Sequence, residues 1–186
     1  QRPPCEGRVM DARQNLLRVS VAALTLSAAG FATWQASAGF TATAVIPTRG
    51  DVPTIGHGST RYEDGTPVRL GDAPITRQRA QQLARNLHSE EEARFKASLP
   101  GVYLHQGEYD LYQDWVGQFG IGNWRKPQSP RTWLLQGDYV GACNARLTWR
   151  FQAGRDCRLP ENWGPQGCRG VWTRQQQRHA KCMAMQ

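Results

Sequence analysis

Between Gly50 and Thr60 the chain reads Gly-Asp-Val-Pro-Thr-Ile-Gly-His-Gly-Ser-Thr, which brings a carboxylate (Asp51), a hydroxyl (Thr54) and an imidazole (His57) close together. Gly56 and Gly58 flank the histidine, and glycine allows positive φ and close approach of backbone to a ligand. Gly56 and His57 are therefore the binding candidates of this segment. His57 has the alternative role of bracing the turn, and Asp51 that of accepting backbone N–H bonds within the Gly-Asp turn. A metal is not expected. His57, His88, His105 and His179 do not fall at ligand spacing, and the five cysteines contain no Cys-x-x-Cys pair. No cofactor motif is present either.

The elements that must position these groups are mostly helical. A short β segment is expected near residues 45–72. Apolar residues at Ala80, Leu83, Ala84 and Leu87 predict a helix from Thr76 to Leu99, stopped by Pro100-Gly101. Tyr109, Tyr112, Val116 and Phe119 stripe a second, ending at Gly120. Ser129-Pro130 opens a short helix to Gly137, with proline at its first position. Val140, Cys143, Leu147 and Phe151 stripe another, and Thr173 with Gln176 has capping-box spacing at the start of the last. A small β part beside a helical body is an α+β arrangement of two lobes with a cleft between them.

The 186 residues allow one domain of about 150 residues plus an appendage. A net charge of +8 and a pI near 9.7 direct the protein to polyanions. Nucleic acid is not the expected partner, because no helix-turn-helix, zinc spacing or long Arg/Lys cluster is present. Anionic cell-wall polymers suit the charge equally well. Cys143, Cys157, Cys168 and Cys182 lie in the last quarter of the chain and form an even set, with Cys5 left over. In an oxidising compartment three pairings are open. The favoured one joins Cys157 to Cys168 and Cys143 to Cys182, and the alternative is that all five stay reduced.

No charge occurs from Val19 to Thr48, and Arg2, Arg8, Arg13 and Arg18 precede that run. Residues 19–35 have the length of a membrane helix but are diluted by Ala, Ser, Thr and Gly. Positive residues on the N-terminal side predict that end in the cytoplasm and the rest exported. A signal peptide cleaved near Ser37-Ala38 and an ordinary helix of a soluble protein are the competing readings.

The Thr54-Ile-Gly-His-Gly58 segment resembles the active-site hairpin of phage lysozymes, the endolysins of glycoside hydrolase family 24. Three later fragments are similar to that family in the same order: Gln106-Gly-Glu-Tyr-Asp-Leu-Tyr112, Phe119-Gly-Ile-Gly-Asn-Trp124 and the stretch from Gly170 to Cys182. The likeness covers about residues 36–184. It implies a lysozyme-like fold, mostly helical, with a small β-hairpin lobe and a larger helical lobe. It also implies hydrolysis of the β-1,4 bond between N-acetylmuramic acid and N-acetylglucosamine of peptidoglycan, by a monomer without a cofactor.

The family pattern is Glu, eight residues, Asp or Cys, five residues, then a Thr that helps hold the attacking water. Thr54 takes the last place. Six residues earlier stands Thr48, while the nearest carboxylate is Asp51, so the middle role is open between the two. The place of the general-acid Glu is taken by Ala38, followed by Gly39-Phe40. An engineered Glu-to-Ala change and a natural glycan-binding pseudo-enzyme both account for this, and the intact surrounding motif favours the first. Residues 1–35 resemble the signal-arrest-release segments of some endolysins. That likeness implies a tether to the bacterial inner membrane through residues 15–35, release to the periplasm, and a catalytic domain over 36–186.

Overall fold

The computed structural model describes residues 18–47 and 50–186. Thr48, a candidate for the middle site position, and Cys5 lie outside the described residues. Among the described residues there are seven α-helices and three two-stranded antiparallel sheets. The described residues divide into two compact units, Leu26–Phe95 and a second made of residues 18–25 with Lys96–Gln186.

In the first unit, helix α1 (Ala28–Ala38) starts where the Ser27 hydroxyl accepts the Gly30 N–H at 3.0 Å. It ends at Gly39, whose φ of +70° is readily reached by glycine. The uncharged run 19–35 is thus divided between this helix and the earlier strand β1 (Val19–Ser20) with a 3₁₀ turn at Val21–Ala23. No helix among the described residues is long and apolar enough to cross a membrane. β2 (Thr41–Val45) pairs antiparallel with β3 (Thr54–Gly56), Thr41 opposite Gly56 and Val45 opposite Thr54.

Helix α2 (Arg77–Ala97) buries Ala80, Leu83, Ala84, His88 and Phe95, a spacing that keeps one stripe inward. Ile55, Val68 and Leu83 form the core beneath the hairpin, with Ala44, Tyr62 and Ile75 packed on it. α1 is held to α2 by Phe31 and Trp34, whose rings lie 6.1 and 5.9 Å from that of His88. The Leu26 N–H also donates to Glu92 Oε1 at 2.8 Å. Burial pushes the His88 imidazole below its ordinary pKa, and the Glu92 carboxylate 3.5 Å away opposes that shift.

In the second unit β1 pairs with β4 (Tyr103–Leu104), and Val21 and Leu24 are buried. α3 (Gln106–Phe119) opens with a capping box between His105 and Glu108. Fully buried Glu108 pairs with Arg18 at 2.9 Å, and the Arg18 guanidinium lies 3.6 Å over the Tyr139 ring. α4 (Ile121–Trp124) brings Trp124 to within 5.5 Å of Trp115, and Trp149 stands edge-on to Trp115 at 4.9 Å. Trp115, fully buried, is the centre of this aromatic core.

Arg146 is fully buried, and its guanidinium lies 4.4 Å over the Tyr112 ring. Burial lowers the Arg146 pKa and pushes the Tyr112 hydroxyl up to about 12.

α5 (Pro130–Leu135) carries proline at its start. α6 (Tyr139–Ala145), capped by Asp138, is shorter than the helical stripe predicts. Its continuation is a 3₁₀ turn at Arg146–Thr148, and Phe151 belongs to a hairpin of β5 (Phe151–Gln152) and β6 (Arg155–Asp156). Ala153 and Gly154, both at positive φ, make the turn, which leaves Phe151 52 % exposed instead of on a helix face. The last helix, α7 (Arg169–Ala184), begins four residues before Thr173, with Cys168 as its N-cap. The Cys168 N–H is bound by the Asn162 carbonyl at 2.8 Å and its sulfur by Cys157. Cys143 is bonded to Cys182, joining α6 to α7. Arg178 of α7 pairs with Asp114 of α3 at 2.6 Å.

Candidate active site

Ala38, Gly56 and His57 lie where α1 ends and the β2–β3 hairpin begins, whereas Thr54 stands at the other end of the pairing, opposite Val45, with Asp51 in the loop before it. Ala38 is the last residue of α1, and its exposed methyl group holds no proton to give. Thr54 opens β3 opposite Val45, half-buried. Ile55, fully buried, anchors the strand in the core so that Thr54 is held at a fixed height above it. Asp51 is exposed, and its Oδ1 accepts the Val52 N–H at 2.8 Å, the bond expected of a turn aspartate.

Gly56 is buried with a φ of +67°. A Cβ built there would come 2.9 Å from Ala80 Cβ and 3.2 Å from Ala80 Cα, so the hairpin rests directly on α2. Gly56→Ala combines a left-handed backbone with overpacking and is expected to cost about 2–4 kcal/mol. Urea unfolding checks it, and a loss below about 0.5 kcal/mol would mean that α2 yields at no cost.

His57 is only 7 % exposed. Its Nδ1 makes a short hydrogen bond with the Gly39 carbonyl, and its Nε2 lies 3.0 Å from Gln35 Nε2. The Phe40 ring is 5.7 Å from the imidazole, and the Arg77 guanidinium lies 4.3 Å over Phe40. Gln35, Phe40 and Arg77 were not legible as site residues. The one available signal was a Gln one helical turn before Gly39. Beyond the hairpin, Asp72 accepts the Arg69 N–H at 2.9 Å and the Tyr62 hydroxyl at 2.8 Å, bonds that hold its carboxyl below the ordinary range. No cluster of His, Cys, Asp and Glu able to hold a metal ion occurs among the described residues. The four bonded cysteines all lie in the second unit.

A helix ending on position 38, a hairpin carrying Thr54, and a helical remainder place the fold in the lysozyme-like α+β class of glycoside hydrolases. The phage lysozyme family model matches residues 35–160, and the chain belongs to that family. Solved structures with the same fold include an endolysin from Escherichia coli O157:H7 phage FAHEc1, 21 % identical at a TM-score of 0.68 over 87 % of this chain and 94 % of that one. A point mutant of P22 lysozyme is 24 % identical at 0.65, covering 86 % and 99 % of the two chains. The active form of P1 phage endolysin Lyz is 16 % identical at 0.63, covering 99 % and 97 %. No curated protein sequence matches the chain.

Proposed function

We propose that this chain is the body of an endolysin that cuts the β-1,4 bond between N-acetylmuramic acid and N-acetylglucosamine, with position 38 as the seat of its general acid. The observation that carries this reading is the link between the end of α1 and β3, made through Gly39 and His57, within the region matched by the family. A protonated carboxyl at 38 would donate to the leaving oxygen, and Thr54 would hold the water that attacks the opposite face of the sugar. Asp51 or Thr48 shares that second role. With Ala38 the chain still offers the glycan a binding surface, but the bond is not cut. The net charge of +8 attracts it to anionic cell-wall polymers. The protein acts as a monomer and takes no metal or cofactor.

Its residues 15–35 tether it in the bacterial inner membrane before release to the periplasm. The support is a run long enough to span yet rich in Ala, Ser, Thr and Gly. On this reading the pairing of Val19–Ser20 with Tyr103–Leu104 belongs to the released form. Expressed in a Gram-negative host, the chain is expected to fractionate uncleaved with the inner membrane and to become soluble after an uncoupler. Replacing Ala28, Ala29 and Gly30 by Leu should hold it there, since each added side chain raises the cost of exit by roughly 1 kcal/mol or more. Mass spectrometry showing a mature chain that begins near residue 38 would instead establish a cleaved signal peptide.

A further inference from the structure

We propose that His57 is a positioning residue that fixes the end of α1, and with it residue 38, relative to the strand that carries Thr54. Carbonyls in the last turn of a helix have no partner within the helix. That of Gly39 accepts from His57 Nδ1, which must therefore carry the ring proton. Nε2 is left as an acceptor in the neutral ring, and the Gln35 carboxamide N–H faces it at 3.0 Å. Gln35 and Gly39 flank position 38 on either side, so a single imidazole grips the helix both before and after that residue.

The grip is anchored on the strand side. Gly56, the preceding residue, sits against Ala80 with no room for even a methyl group, so β3 has no space to move toward α2. With both ring nitrogens engaged and the ring 7 % exposed, His57 has no edge left for a sugar. Its effect on the reaction is exerted through residue 38. Small displacements of a reacting group lower the rate steeply, so the contribution falls on kcat and not on KM.

The first test uses the chain as it stands. In ¹⁵N NMR the His57 ring is expected as the Nδ1–H tautomer, and an Nε2–H tautomer would overturn the proposal. The second rests on the muramidase reading and uses the Ala38→Glu enzyme. There His57→Phe is expected to lower kcat at least tenfold with KM within twofold, and His57→Asn, whose carboxamide N–H can reach the Gly39 carbonyl, to recover most of the loss. A raised KM with kcat intact would make His57 a substrate-binding residue, and no change in either would remove its role altogether. Gln35→Leu keeps the ring and guards against a folding defect: a severalfold fall in kcat is expected, and an unchanged kcat counts against the brace. If Ala38→Glu proves inactive, the muramidase reading fails, and the tautomer still decides the brace.

Discussion

Ala38→Glu is expected to raise the release of reducing sugar from purified peptidoglycan at least a hundredfold over the Ala38 chain, the lower end of what general acid catalysis contributes. The substitution adds a carboxyl at the last residue of α1 without disturbing the core, since that helix has no fully buried residue. Thr54→Ala in the restored enzyme should then abolish most of the gain, because the hydroxyl proposed to hold water is lost while β3 remains anchored by Ile55. The same background separates the two candidates for the middle position. Asp51→Asn costs more than Thr48→Ala if the loop presents the carboxylate, and less if it does not. Negligible effects of both would leave the water to Thr54 and backbone alone. A restored chain that releases no reducing sugar, while keeping the circular dichroism of the parent, would sink the lysozyme reading of this site.

Removing the Cys143–Cys182 bond by a double Cys→Ala substitution is expected to destabilise the second unit by about 4 kcal/mol, or roughly 8–16 °C in Tm. The separation of 39 residues sets that figure, since a longer loop surrenders more chain entropy when it is closed. The Cys157–Cys168 bond spans 11 residues and should cost nearer 3 kcal/mol when removed. Thermal unfolding followed by circular dichroism tests the order. Equal losses would mean that native packing around Trp115, and not loop closure, governs the effect. A reductant added to the unmodified protein should lower Tm by no less than the larger single loss.

The sequence by itself determined the parts whose signal is local. Thr-Ile-Gly-His-Gly needs glycine at 56 because its backbone is left-handed and rests on Ala80, and that requirement is visible in the residue type alone. α2 and α3 were legible from a 3.6-residue period, and their ends from Pro100-Gly101 and Gly120. Family membership followed from four such fragments in order.

Tertiary structure decided the rest. Val140 and Phe151 fit a helical stripe, yet the buried positions of that stretch are Ala142, Cys143, Ala145 and Arg146, because Trp149 packs on Trp115 and Ala153-Gly154 turns the chain back. The run after Arg18 reads as one apolar helix, but residues 19–20 become a strand since β4 offers backbone partners and Glu108 a buried charge for Arg18. The clasp of His57 on Gln35 and the Gly39 carbonyl depends on two segments far apart in the chain meeting at one edge. Periodicity and residue type report what a segment prefers alone, whereas these outcomes depend on which partner the folded chain brings to it.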